Sequence, residues 1–104
     1  MLSATQLKEY IPTEKSLFDM ASLFSVLSDP TRLKIISALS LSSLTVTEIT
    51  ETLSLNQTTV SHQLKTLKDN GYVIAERNGK NIRYALKDEN LNDILLSSVI
   101  FLGY

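Results

Sequence analysis

The spacing of apolar residues along this chain switches from a helical to a strand period at Asn70-Gly71, and that switch limits the folds open to it. Ahead of it, Val60, Leu64 and Leu67 recur at steps of four and three, one stripe of a helix running from Gln57 to about Asn70. Gly71 suits the left-handed cap that ends such a helix. Beyond it the step is two. Tyr72–Arg77 and Ile82–Leu86 read as strands flanking Asn78-Gly79-Lys80-Asn81, a hairpin with turn residues in place.

The upstream part reads as helices. From Lys15 to Leu27, Leu17, Phe18, Met20, Ala21, Leu23, Phe24 and Leu27 cover more than half the circumference, too wide an arc for burial on one side only. Asp29-Pro30 is a helix start, Asp29 as N-cap and Pro30 at the first helical position. The inward row of the next helix is either Leu33, Ile36 and Leu39 or Ile35, Ala38 and Leu41. Thr45-Val46-Thr47-Glu48 fits a capping box, with Val46, Ile49 and Leu53 inward behind it, and Asn56 suits the N-cap after the turn at Leu55. Asp88 is placed to cap a last helix from Glu89 to Leu102, with Leu91, Ile94, Leu95, Ser98, Val99 and Leu102 as its seam. Residues 1–14 read as a flexible arm or a short helix.

The expected fold is mainly α with a small β-hairpin, a winged helix-turn-helix in the order α-α-α-α-β-β-α. A chain of 104 residues, 43% hydrophobic, fits one domain spanning 1–104. Within it, 46–70 is the helix-turn-helix and 72–86 the wing. Segments 15–27 and 89–102 are dimerisation helices, because a domain this small cannot cover both by itself; burial within one core is the plainer alternative.

Several chemistries are excluded by composition. There is no Cys and only one His, which removes disulfides, thiolate metal sites, thiol nucleophiles and a multi-His cage within one chain. No nucleophile–base arrangement or phosphate-cradling glycine loop appears, so no enzymatic activity, cofactor or metal is expected. No secretory leader or membrane span is visible, which makes the cytoplasm the expected compartment.

The formal net charge of −1 conceals a gradient. Residues 56–87 hold six basic groups against two acidic ones, whereas 1–55 hold four against six, and 88–104 hold three acids and no base. Taken alone, that is equally a solvated surface of uneven charge. The helix from Gln57 decides the reading: with its apolar stripe inward, Gln57, Thr58, Thr59, Ser61, His62 and Lys65 face out, with no acid before Asp69. Short polar side chains at the N-terminal end of such a helix suit base edges and phosphates of double-stranded DNA. Lys65, Lys68, Arg77, Lys80 and Arg83 are candidate phosphate neutralisers, and Asn78 and Asn81 complete the wing tip.

The runs Leu27–Ile36, Leu53–Lys68, Gly71–Val73 and Gly79–Leu86 resemble the ArsR/SmtB family of bacterial winged-helix repressors. The likeness covers roughly residues 16–100; its most specific parts are Asp29-Pro30-Thr31-Arg32 and Val60-Ser61-His62-Gln63-Leu64-Lys65. It implies a homodimer built from the first and last helices that binds an inverted-repeat operator and represses transcription. The family's base-contacting positions fall on Gln57, Thr58, Ser61 and His62, and its wing contacts on Arg77 to Asn81.

Two features of that family are missing. Its Cys-Val-Cys metal-sensing pair reads Thr45-Val46-Thr47 here, and neutral hydroxyls do not replace thiolates toward soft metals. The last helix offers Asp88, Glu89 and Asp93 but no His, so zinc is not expected there. Two alternatives keep the fold: a hard cation on those carboxylates or a small apolar effector at the dimer interface, and a winged helix used as a protein-interaction module.

Overall fold

In a computed structural model describing all 104 residues, helix α1 (Ala4–Tyr10) precedes α2 (Glu14–Leu27) and α3 (Pro30–Leu41). Strand β1 (Leu44–Thr45) leads into α4 (Val46–Leu53) and α5 (Gln57–Asp69). Strands β2 (Val73–Asn78) and β3 (Asn81–Leu86) and helix α6 (Asn90–Leu102) complete the chain. Most helices start on a side chain that takes an orphan backbone donor. Asp29 accepts from the Arg32 N–H at 2.9 Å with Pro30 behind it, and Asn56 accepts from the Thr59 N–H at 2.7 Å. Thr45 and Glu48 close the expected capping box, the Glu48 carboxylate accepting from the Thr45 N–H at 3.0 Å and the Thr45 hydroxyl from the Glu48 N–H at 3.2 Å. The end of α5 is also as read. Gly71, at φ +80°, donates to the Lys68 carbonyl, and the Tyr72 N–H reaches back to Leu67.

The architecture is a winged helix-turn-helix, mainly helical, with three antiparallel strands in the order β1-β3-β2. Within residues 1–14, Ala4–Tyr10 takes the short-helix alternative of the sequence reading, started by a Ser3–Gln6 capping box. The structure differs from the sequence reading in three places. The sheet has a third strand, Leu44 pairing with Tyr84 and Thr45 with Arg83; two residues are too few to show a period. The hairpin turn is Gly79-Lys80 alone, since Asn78 already pairs with Asn81. Gly79 takes φ +66° and Lys80 stays at negative φ, the type II′ pattern that matches strand twist. Finally, α6 starts one residue later than expected; the Asp88 carboxylate accepts from the Asn90 N–H at 2.8 Å, and Glu89 makes no side-chain cap.

The core is built around α5. Val60, Leu64 and Leu67 are fully buried against Ile35, Ile36, Ile49 and Val73, with Leu27, Leu39 and Leu91 at the margins. Neither proposed row of α3 is right by itself: Ile35, Ile36 and Leu39 are buried while Leu41 is 89% exposed. The reason is that α2, α4, α5, α6 and β3 all pack on α3, so its buried face is wider than one row, while Leu41 at its C-terminal end stays outside that packing.

The outer helices are different. Phe18 and Phe24 on α2, and Leu96, Ile100, Phe101 and Leu102 on α6, lie more than half exposed, and α1 buries nothing. The protomer measures 59 × 29 × 20 Å, and its radius of gyration is 16.9 Å. A compact chain of this length has about 13 Å. No helix is long and apolar enough to cross a membrane.

Between α4 and α5, Ser54 is the one non-glycine residue at positive φ (54°), where a Cβ costs about 1–2 kcal/mol. Ser54→Gly relieves that cost against a smaller entropy loss, so stability rises by about 0.5–1 kcal/mol and Tm by a few degrees in a thermal melt. An unchanged or lower Tm would mean the left-handed turn carries no strain.

Candidate nucleic-acid interface

The helix-turn-helix holds α5 by its apolar stripe and turns the opposite side outward. Gln57, Thr58, Ser61, His62, Lys65 and Lys68 are exposed along it; Thr59 is half-buried beside the Asn56 cap. On the wing, Arg77, Asn78, Gly79, Lys80 and Asn81 are all exposed. The sheet register explains the division: Val73, Ala75, Tyr84 and Leu86 share the face packed on the body, and past them nothing remains to cover the tip.

Two of the expected cations are engaged within the chain. Arg83 is half-buried, its Nη2 donating to the Ser43 carbonyl at 2.7 Å, its Nε to the Ser43 hydroxyl at 3.3 Å, and its Nη1 lying 3.2 Å from Glu48. It also stands opposite Glu76 across the strands. Arg83 thus ties the wing to the start of the helix-turn-helix. Lys65 is exposed but lies 2.9 Å from Asp69, one turn on, and that hydrogen bond and charge raise its pKa. Arg77, Lys68 and Lys80 make no ion pair within the chain, the ion pairs being Lys15–Asp19, Lys65–Asp69 and Arg83–Glu48.

Sequence reading missed a link at the centre of the site. The Arg32 Nε donates to the Gln63 Oε1 at 2.8 Å, and its Nη1 donates to the Val26 carbonyl at 3.4 Å. One guanidinium thus joins the end of α2 and the start of α3 to the side of α5. The Asp-Pro-Thr-Arg run was conspicuous in the sequence, but nothing in it connects residue 32 with residue 63.

No group of three or more His, Cys, Asp or Glu side chains is placed to hold a metal ion. Thr45 is occupied as a helix cap, and Asp88 turns to the Asn90 N–H. Glu89 and Asp93 line one polar groove with Asn90, Asn92 and the serines after α3. An apolar groove of about 580 Å³ lies between α2 and α6, lined by Phe24, Ile94, Phe101 and Leu102.

Comparison with known proteins places this arrangement. Residues 29–75 match the sequence profile of the bacterial regulatory protein arsR family. The arsenical resistance operon repressor of Staphylococcus xylosus is 37% identical over 76 residues, 73% of either chain. The chain belongs to the arsR family. A transcriptional repressor SmtB homolog from Synechocystis is 36% identical over 75 residues, 72% of this chain. The match spans only 57% of that relative's length, and about 60% of two others. The solution structure of a homodimeric winged helix-turn-helix DNA-binding domain from Mycobacterium bovis superposes with a TM-score of 0.74 at 26% identity, covering 90% of this chain and 91% of that one. Membership accounts for the resemblance of Asp29–Arg32 and Val60–Lys65, both inside the matched segment.

The internal ties have measurable consequences. Glu48 has a pKa below its ordinary 4.5, chiefly because it accepts the Thr45 N–H, aided by Arg83. A carboxylate lowered by folding contributes stability that is complete above its ordinary value and is lost as pH falls through the folded value. Glu48→Gln therefore lowers stability at neutral pH and flattens its decline below about pH 4.5 in acid titrations followed by circular dichroism. Gln63→Leu removes the acceptor from a half-buried guanidinium and costs about 1–2 kcal/mol in denaturant unfolding, while Gln63→Glu keeps it. Equal stability of the two variants would show that Arg32 finds another partner.

Proposed function

We propose that this chain is a homodimeric, sequence-specific DNA-binding transcriptional repressor acting on an inverted-repeat operator in the cytoplasm. The observation that carries the reading is the outward side of α5. It is held away from the body by three fully buried residues, carries only short polar and basic groups over its first three turns, and stands beside an uncovered basic wing. In this reading Gln57, Thr58, Ser61 and His62 contact base edges, and Lys65, Lys68, Arg77 and Lys80 contact phosphates with Asn78 and Asn81 beside them. Thr59 and Arg83 serve the fold instead, as a half-buried residue of the α5 first turn and as the strut to Ser43 and Glu48.

Pairing through α2 and α6 supports the same reading. The exposed phenylalanines and the elongated shape leave an apolar face that a second copy covers by two-fold symmetry. The Mycobacterium bovis neighbour is described as a homodimer. Two α5 helices roughly 34 Å apart then enter successive major grooves. No catalytic role is proposed.

Binding to duplexes selected from a random-sequence pool tests the proposal. Lys80→Ala weakens all duplexes about equally and flattens the salt dependence by about one unit per protomer. Ser61→Ala or His62→Ala instead lowers preference for the selected duplex by about 1–3 kcal/mol per lost base contact. Equal losses on selected and random DNA would remove Ser61 and His62 from the base-reading set. In sedimentation, Phe101→Glu shifts the dimer toward the 11.6 kDa protomer, weakening association by about 100-fold or more, since a carboxylate is buried without a partner. A wild-type protein that sediments as a protomer at all concentrations contradicts the pairing.

A further inference from the structure

Every residue from Met1 to Ser22 is exposed, so α1 and the first half of α2 form an arm that stands off the body. Yet α1 is a formed helix, started by the capping box between Ser3 and Gln6. Seven residues are too few to hold a helix in water, where even about 12–15 are marginal, so α1 needs a surface to lie on. Its sequence says which side meets that surface. Ala4, Leu7 and Ile11 recur at steps of three and four with Tyr10 beside them, Lys8 sits at the edge of this stripe, and Glu9 lies opposite.

Helix α6 offers an apolar surface twice. Ile94, Phe101 and Leu102 line the groove of about 580 Å³ that it forms with Phe24, whereas Leu96, Val99 and Ile100 are exposed on a different side. A two-fold-related α6 covers one of these sides and leaves the other open. The groove follows α6 from Ile94 to Phe101, about 10 Å, which is also the length of α1. Asp93 stands at its rim without an ion pair, and Lys8 of α1 has none either. The chain's own arm does not fill it. Folded back along α2, α1 would set Leu7 beside Leu17, about 10 Å short of Phe24.

We propose that α1 of each copy lies in the groove between α2 and α6 of the other, so that the two chains exchange arms. Leu7, Tyr10 and Ile11 meet Phe24 and Phe101, and Lys8 comes to Asp93. This rests on the two-fold pairing of α2 and α6 proposed above. Because α1 continues from α2, pairing of the outer helices carries each arm over the partner, while α6 meets its counterpart through Leu96, Val99 and Ile100. Each α1 gains the surface it lacks, and the aromatic groove is closed to water.

The chain has no cysteine, so introduced pairs report alone. In Leu7→Cys combined with Ser97→Cys, or with Leu102→Cys, oxidation joins two chains, and the product runs at twice 11.6 kDa on a non-reducing gel. Each single variant stays at the mass of one chain. In sedimentation, Leu7→Ala weakens the dimer about 100-fold, about tenfold for each arm, from the lost burial of its methyl groups. Glu9→Ala, on the opposite side of α1, changes it less than about twofold. Neither substitution disturbs the protomer core, because residues 1–22 bury nothing in it. A disulfide within one chain, no cross-link in either pair, equal cross-linking by a single variant, or a Leu7→Ala dimer as tight as the unmodified one overturns the proposal. An unmodified protein that sediments as a protomer at all concentrations removes the two-fold pairing itself, and that outcome shows before any substitution is made.

Discussion

Burial of one stripe of α5 is the constraint on which the rest of this molecule depends. Val60, Leu64 and Leu67 have no exposed surface, and they meet residues from α3, α4 and β2. Each is aliphatic and closely packed, so shortening one leaves a cavity costing about 2–5 kcal/mol in a domain whose whole margin is about 5–15. The same packing sets the rotation of α5 about its own axis. Once three positions are pinned inward, the helical period determines that Thr58, His62, Lys65 and Asp69 face out. Stability and presentation of the polar side are therefore one event.

Polar ties then refine what the apolar core has placed. Arg32 bonds Gln63 on α5 and the last turn of α2, and Arg83 joins β3 to Ser43 and Glu48 at the entrance to α4. Both guanidiniums are planar forks able to hold two partners at fixed angles, which a lysine in either position could not do. They connect elements that in the proposed dimer serve different tasks: α2 in pairing, α5 in base reading, the wing in backbone contact. Directional bonds thus tie these elements to one another.

The basic segment of the sequence shrinks when read in three dimensions. Of its six cations, Arg83 is committed to the fold and Lys65 to its neighbour Asp69. Positive charge outside any ion pair is carried by the other four, Lys68, Arg77, Lys80 and Lys87, all exposed. In the proposed DNA complex, fewer phosphate contacts are then available than the sequence suggests, and polar base contacts carry a larger share of recognition.

How much was legible follows from range. Helix caps at Asp29, Thr45 and Asn56, the Gly71 stop and the α5 stripe are local: each interaction joins residues at most a few positions apart, so a linear reading finds them. The outward set from Gln57 to Lys68 followed from that stripe by geometry. The pairing of Leu44 with Tyr84, the Arg32–Gln63 bond and the capture of Arg83 by Ser43 span 31 to 40 positions, and no period or motif carries them. The width of the buried face on α3 was likewise invisible, because it depends on how many neighbours gather there. Local hydrogen bonding and periodicity thus determined which segments became helices and strands and which side of α5 was polar. Only tertiary packing decided which cations stayed free and which apolar faces were left uncovered, because those depend on contacts between residues far apart in the chain.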